Sequence, residues 1–350
     1  MLLNRNMFVI LITGGTGFLG SHTSLVLLEK GYYLYIVDSL DNSSIKTLKR
    51  IKEINHNYKN QFKFFRGDLR NKELLRRIFI NAKDSGKIIS GVIHFAGLKA
   101  VSDSIKNPLK YWSNNFLGTL NLLEVMSEFN CKKIIFSSSA TVYGPSNFSL
   151  LNEDSNINPI NPYGKTKQAI ENLLTDVFNS EPEKWGVINL RYFNPIGAHE
   201  SGLIGEDPLG KPNNIFPILN QVASKKVDKI EIFGDNWGTP DGTCIRDYIH
   251  VMDLAEGHVA ALEFLLSNGS QCININIGTG KGTSVLELVN IFSKVNNVEI
   301  KYNFTDRREG DFAVVIADNT RAKELLNWSP RRSLEAMCKD GWKWHRKIKH

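Results

Sequence analysis

A tyrosine and a lysine stand four residues apart in the run Tyr163-Gly164-Lys165-Thr166-Lys167, at the start of a segment with helical periodicity. On a helix the two side chains share one face. A phenol ionises near pH ~10 and is a poor base at neutrality, but a fixed ammonium beside it stabilises the phenolate. Upstream, Phe136-Ser137-Ser138-Ser139-Ala140-Thr141 carries hydroxyls off the end of an apolar run. Ser139 there can hydrogen-bond a substrate oxygen and the Tyr163 phenol together, the arrangement for proton transfer at an alcohol. No G-x-S-x-G elbow surrounds these serines, which argues against a hydrolase nucleophile.

Proton transfer at an alcohol suits a hydride-accepting cofactor, and the N-terminal stretch offers a place for one. The apolar run Phe8–Thr13 leads into Gly14-Gly15-Thr16-Gly17-Phe18-Leu19-Gly20 and then a helical pattern from Ser21 to Lys30. Gly14, Gly17 and Gly20 let backbone N–H groups approach a pyrophosphate at a helix N-terminus. Asp38 ends the next strand, where a carboxylate accepts from an adenosine ribose and repels a 2′-phosphate, favouring NAD over NADP. A turn or cap aspartate would look the same. Asp68, in Gly67-Asp68-Leu69, suits either the adenine amino group or a helix cap. Phe95-Ala96-Gly97-Leu98-Lys99 sets small residues where backbone passes a cofactor, and Lys99 can reach its pyrophosphate or substrate phosphates. His94 reads as structural.

To position these groups the chain alternates strands and helices. Phe8–Thr13, Tyr33–Asp38, Phe62–Arg66, Gly91–Phe95, Lys133–Ser138 and Gly186–Tyr192 read as strands, with amphipathic segments between them. That alternation predicts an α/β fold: a doubly wound parallel Rossmann-type sheet with helices on both faces. After Arg191 the texture turns rich in proline and glycine, from Pro195 through Gly210 to Pro217, predicting a second, smaller α/β domain. A helix over His250–Leu266 and a strand over Cys272–Ile277 return toward the sheet. The expected domains are 1–194, with a return segment near 248–278, for the dinucleotide, and 195–247 with 279–350 for the substrate.

The 350 residues are 42% apolar and 23% charged, an ordinary globular balance that does not indicate disorder. The net charge of +7 is scattered apart from a cluster from Lys339 to His350, read as a solvated tail. No basic stripe with interleaved aromatics appears, so no nucleic-acid partner is expected. Cys131, Cys244, Cys272 and Cys338 lack metal-ligand spacing, predicting reduced thiols and no metal. The first apolar run is too short for a signal peptide or a membrane span, so no membrane partner and a cytoplasmic setting are expected.

In sum of motifs the chain resembles the extended short-chain dehydrogenase/reductase family over nearly its whole length, and within it the enzymes that invert C4 of UDP-hexoses. The resemblance is carried by Thr13–Gly20, Phe95–Lys99, Ser137–Gly144, Tyr163–Lys167, Arg191-Tyr192-Phe193-Asn194-Pro195, Gly205–Pro208, Asp241-Gly242-Thr243, Arg246–His250 and Arg307-Arg308-Glu309-Gly310-Asp311. It implies a catalytic trio of Ser139, Tyr163 and Lys167. It implies NAD contacts at Phe18, Leu19, Asp38, Asp41, Asn42, Ser43, Asp68, Leu69, Phe95, Lys99, Asn114 and Phe193. UDP-sugar contacts are implied at Asn194, Asn214, Phe233, Arg246, Arg308 and Asp311, and guanidinium forks such as Arg246 and Arg308 match a diphosphate. The implied reaction interconverts UDP-glucose and UDP-galactose through a 4-keto sugar, with tightly bound NAD and Tyr163 as base. A homodimer is implied through Pro108–Asn130 and Tyr163–Asn179, although Leu117, Leu120, Leu123 and Phe129 suit a core equally.

Three departures bear on specificity. Ala140 and Thr141 stand where related 4,6-dehydratases carry an acidic pair, which disfavours dehydration. Asp235-Asn236-Trp237 replaces the usual Asn-Asp-Tyr order after Phe233-Gly234. Val315 stands where a large aromatic commonly narrows the sugar pocket, leaving room for N-acetylated UDP-hexosamines.

Overall fold

Strands buried on both faces lose the polar alternation of a half-exposed sheet. Phe8–Thr13 and Tyr33–Asp38 are buried along all but their first residue, whereas the edge strand Phe62–Arg66 buries none of its residues completely. In the computed structural model, which describes residues 8–144, 150–210, 212, 214–308 and 310–348, these strands belong to a seven-stranded sheet. Glu309 of the arginine motif and Lys349 and His350 of the basic cluster lie outside the described residues. The order across the sheet is Gln271–Ile277, Gly186–Tyr192, Lys133–Ser137, Ile88–His94, Phe8–Thr13, Tyr33–Asp38, Phe62–Arg66. From Gly186–Tyr192 to Phe62–Arg66 every pairing is parallel. Chain order reverses between Phe8–Thr13 and Ile88–His94, and at such a switch point the carboxyl ends of the strands open a crevice.

The chain divides into two compact units, one of residues 1–144, 157–191 and 255–275, the other of 145–156, 192–254 and 276–350. The main division in the chain falls between Arg191 and Tyr192. Residues 150–156, expected with the first domain, go with the second, because Leu150–Leu151 pairs in parallel with Val314–Ala317. The helix Val251–Asn268 starts in the second unit and continues into the first.

The first unit's core gathers Val9, Leu11, Val92, Ile134 and Phe136 from the sheet with Leu122, Met126, Ile170 and Leu174 from flanking helices. Each such side chain contributes about 1.5–3 kcal/mol on burial. Leu123 and Phe129 join this core, and Leu117 is exposed. The helix expected over 108–130 is interrupted: Pro108–Tyr111 and Gly118–Glu128 flank a π-helical turn, Trp112–Leu117. Within that wide turn the Asn115 side chain accepts from Leu98 N at 2.7 Å and donates to Leu98 O and to Thr166 Oγ1, each at 3.1 Å.

The second unit holds a four-stranded sheet in the order Thr283–Ser284, Ile245–Arg246, Val314–Ala317, Leu150–Leu151. Two short parallel pairs accompany it, Asn194–Ile196 with Tyr248–His250 and Ile230–Phe233 with Tyr302–Thr305. The helices Ile215–Ala223, Val285–Asn296 and Leu334–Lys347 close its core through Phe216, Leu219, Leu288, Phe292, Met337 and Cys338. Over its described residues, through Ile348, the basic cluster is therefore no solvated tail. Met337, Cys338, Gly341 and Trp344 recur at helical spacing and are buried, while the last-turn basic residues His345, Arg346 and Lys347 complement the helix dipole.

Candidate active site

The helix Pro162–Ser180 opens with Pro162 in its first turn and the Asn161 side chain accepting from Gly164 N at 2.9 Å. A Cβ on Gly164 would meet Thr141 O at 2.6 Å, so glycine lets this helix start press against the short turn Ala140–Val142. Ser139 precedes that turn, and its Oγ accepts from Thr141 N at 3.2 Å and Thr141 Oγ1 at 3.0 Å. Tyr163, Lys167 and Ser139 are all buried. Lys167 Nζ donates to Ser137 O at 2.7 Å and lies 4.7 Å from the Phe136 ring centre and 5.8 Å from that of Tyr163. Burial brings the Lys167 ammonium down to about 7, against the pull of Glu171 toward the charged form.

His94 is structural in its bonding. Thr119 Oγ1 donates to Asn115 O and so accepts from His94 Nε2, leaving Nδ1 to accept from Thr13 Oγ1 at 2.6 Å. Burial and the nearby Lys167 charge push this imidazole down to about 3, so it stays neutral.

The glycine loop is fitted to a dinucleotide. Gly14 has φ 68° and a Cβ there would sit 2.8 Å from Ala96 N; a Cβ on Gly20 would sit 2.3 Å from Gly14 O. Gly17 caps the helix Phe18–Glu29 without a side-chain hydrogen bond, so the first N–H groups are presented by bare backbone, as a pyrophosphate requires. Asp38 Oδ2 accepts from Thr16 N, and Oδ1 from Leu40 N and Ser43 Oγ. Three of its roughly four acceptor positions are used, which leaves one for a ribose hydroxyl. Asp68 is no helix cap: Asn71 caps Lys72–Asp84, while Asp68 is paired with Arg70, whose guanidinium lowers its carboxyl below the usual range. Asp41 and Asn42 are exposed, Leu69 is buried in the core, and Phe95 packs on His258 with ring centres 4.7 Å apart. Lys99 is exposed, 6.0 Å from the Phe18 ring centre.

Asn115 was not among the expected residues. Asn114, which was, is half-buried in the π-helical turn, while its neighbour Asn115 carries the hydrogen bonds that hold the Leu98 backbone. A polar pair inside an apolar helical pattern was the available signal.

In the second unit a charged cluster joins most of the expected UDP-sugar residues. Arg308 donates to Asp311 from Nε at 3.1 Å and from a terminal nitrogen at 2.8 Å, and its guanidinium lies 5.4 Å from the Phe233 ring centre. Arg246 approaches Asp311 at 3.5 Å and donates to Phe312 O at 2.7 Å. Val315, half-buried, is the strand partner of Arg246. Asn194 N donates to Asp247 O and Phe193 N to Ile277 O, holding that segment by backbone. Asn214 precedes the helix Ile215–Ala223 and donates to Glu206. In the divergent loop the Arg307 guanidinium covers Trp237 at 4.2 Å and donates to Asn236.

A parallel sheet with a glycine loop at its switch point, beside a buried Tyr–Lys helix face, defines a dinucleotide enzyme of the short-chain dehydrogenase/reductase class. The sequence model described as GDP-mannose 4,6 dehydratase matches residues 11–341. UDP-glucose 4-epimerase of Bacillus subtilis is 49% identical, the match covering 96% of each chain. UDP-glucose 4-epimerase 2 of Arabidopsis thaliana is also 49% identical, over 96% of this chain and 94% of its own. Among solved structures, the Stenotrophomonas maltophila UDP-glucose 4-epimerase with bound NAD and formylated UDP-arabinopyranose superposes with TM-score 0.92 at 40% identity, covering 98% of each chain. The chain belongs to the UDP-glucose 4-epimerase family of extended short-chain dehydrogenases/reductases.

Proposed function

We propose that this chain interconverts UDP-glucose and UDP-galactose by inverting C4, with NAD as a tightly held cofactor. The observation that carries the reading is the buried Lys167 amino group, fixed at the Ser137 carbonyl beside Tyr163. Tyr163 removes the proton of the sugar 4-hydroxyl, and Lys167 stabilises its phenolate. Ser139 orients the hydroxyl toward it. Gly14, Gly17, Phe18, Leu19, Gly20, Asp38, Asp41, Asn42, Ser43, Asp68, Leu69, Phe95–Lys99, Asn114 and Phe193 would hold NAD, which when bound would supply a reversible hydride acceptor for C4. Arg246 and Arg308, steadied by Asp311, grip the diphosphate, with Asn194, Asn214 and Phe233 holding the rest of the nucleotide sugar. Inversion needs a firm hold on UDP and a loose one on the hexose, so that the 4-keto sugar presents its other face for reduction.

The match to a dehydratase-named family model does not carry dehydration here. That reaction needs an acid to protonate a departing hydroxyl, and Ser139 is followed by Ala140 and Thr141, the latter donating to Ser139 itself. Purified protein incubated with UDP-galactose and no added NAD should form UDP-glucose, since inversion consumes no oxidant. Absence of UDP-glucose overturns the reading.

Val315 supports a second activity on N-acetylated UDP-hexosamines, because a small side chain lies opposite Arg246 in the strand register. Wild type should turn over UDP-N-acetylglucosamine and Val315→Tyr should not, with UDP-glucose turnover retained; a wild type inert toward the larger sugar ends this idea. The reading also includes a homodimer, supported by exposed Ile105, Leu109, Trp112 and Leu117, and checked by sedimentation of wild type against Leu109→Glu. Buried free thiols at Cys131, Cys244 and Cys338 support a reducing cytoplasm as the setting, with galactose metabolism as the pathway.

A further inference from the structure

One turn beyond Lys167 the same helix carries an inward carboxylate that the proposed reaction leaves unused. Glu171 is 5% exposed. Arg191 donates to it twice, from Nε at 3.0 Å and from a terminal nitrogen at 2.7 Å, and Ser138 Oγ donates to its Oε1. Arg191, 3% exposed, also donates to Tyr143 Oη at 3.1 Å. The cluster ties three elements together. Arg191 comes from the strand Gly186–Tyr192, Glu171 from the helix, and Ser138 follows the strand Lys133–Ser137. Ser138 is bonded directly to Ser137, whose carbonyl holds Lys167 Nζ.

A buried ion pair is a weak source of stability, since desolvation offsets the attraction and apolar side chains of similar volume commonly do as well. Orientation and charge are what such a pair supplies that apolar packing does not. We propose that Glu171, locked by Arg191, is a positioning residue: it fixes Ser138 and hence the Ser137 carbonyl, and sets a negative charge one helical turn from Lys167.

The charges around Lys167 leave this role to Glu171. From its own helix Lys167 meets Tyr163 and Glu171. From Ile88–His94 it meets His94, which is neutral. From Gly186–Tyr192 comes Arg191, paired with Glu171, and from Lys133–Ser137 come the Phe136 ring and the Ser137 carbonyl. Glu171 is the group that draws Lys167 toward its charged form against burial.

The inference rests on Lys167 serving Tyr163 as proposed above, and its test separates the two. Holoenzyme carrying lysine labelled with carbon-13 at Cε, with the Lys167 signal assigned through Lys167→Met, reports the ionisation of Lys167 without any turnover. In Glu171→Gln, which keeps shape and removes charge, Lys167 should lose its proton at a pH about one unit lower than in wild type. The alkaline limb of kcat should move the same way, with kcat down about 10-fold and KM within about 2-fold. If Glu171→Gln does not fold, Glu171→Leu combined with Arg191→Met replaces the pair by apolar volume and should show the same two shifts. A Lys167 titration and a kcat–pH profile coincident with wild type in whichever variant folds overturn the proposal, even where the melting temperature has dropped. A wild type that fails to epimerise UDP-galactose overturns the epimerase reading alone, because the Lys167 titration still decides the role of Glu171.

Discussion

Lys167 and Glu171 are each 5% exposed and Arg191 3%, whereas the Arg308 side chain is 55% exposed and Phe233 41%. The first group is held by the protein alone, through the Ser137 carbonyl, Ser138 and a two-pronged ion pair. In the second group, among the described residues, Arg308 pairs with the Asp311 carboxylate and lies over the Phe233 ring, with more than half of its side chain exposed. Proton transfer tolerates little misplacement, so its groups must be fixed before substrate arrives. Groups that grip a charged ligand can be completed by the ligand itself. Damage to the buried group should therefore appear in kcat, and damage to the exposed group in affinity.

The largest effect expected is that of Tyr163→Phe, which removes one oxygen from the buried region. It should lower kcat by about 10²–10⁴-fold while nucleotide extracted from the purified protein shows an unchanged NAD content. Activity within about 3-fold of wild type would place the base elsewhere and dissolve the contrast with the exposed region. Arg308→Ala probes the other side and should act less strongly. Losing a charge-assisted hydrogen bond worth about 1.5–3 kcal/mol raises the dissociation constant for UDP about 10- to 100-fold by titration calorimetry. Its kcat at saturation and its thermal midpoint should stay near wild type, because more than half of the side chain is exposed. A loss confined to kcat would mean that the exposed cluster is as preorganised as the buried one.

The same contrast separates what was legible in sequence from what was not. Phe8–Thr13, Tyr33–Asp38 and Phe62–Arg66 were readable to the residue, because each is a short β-rich run bounded by glycine or turn residues. The Tyr163–Lys167 face was readable for a similar reason, since four residues on a helix is a local distance. Glu171 shares that spacing, but its meaning depends on Arg191 and Ser138, which reach it across the strand order of the sheet. Leu150–Leu151 pairs with Ile316 and Ala317, and no local pattern announces a partner so distant in the chain. The π-helical turn at Trp112–Leu117 was hidden because its i-to-i+5 register accompanies side-chain bonds from Asn115 to Leu98 and Thr166, not a local propensity. In the C-terminal segment the basic charge masks the helical spacing of Met337, Cys338, Gly341 and Trp344, which the core contacts reveal.

The smallest expected effect tests the burial of Lys167 directly. Its ammonium ordinarily titrates at 10.5 and in the folded chain at about 7, chiefly because burial disfavours the charge. Between those values the unfolded chain binds more protons at this site than the folded one, so stability rises with pH across the window. Below about pH 7 the full cost of burying the ammonium remains; above 10.5 that cost is gone. Lys167→Met never bears it. In protein prepared without NAD, the variant should therefore compare most favourably with wild type near about pH 6.5, and the advantage should shrink by about pH 9.5 in urea unfolding. The variant also loses the hydrogen bond to Ser137; a neutral amine still donates it, more weakly than an ammonium, so that loss is present at both pH values and opposes the expected trend only in part. A wild-type-to-variant difference that does not change with pH would mean that Lys167 is solvated in the folded chain. The buried and exposed regions would then be alike in their access to water.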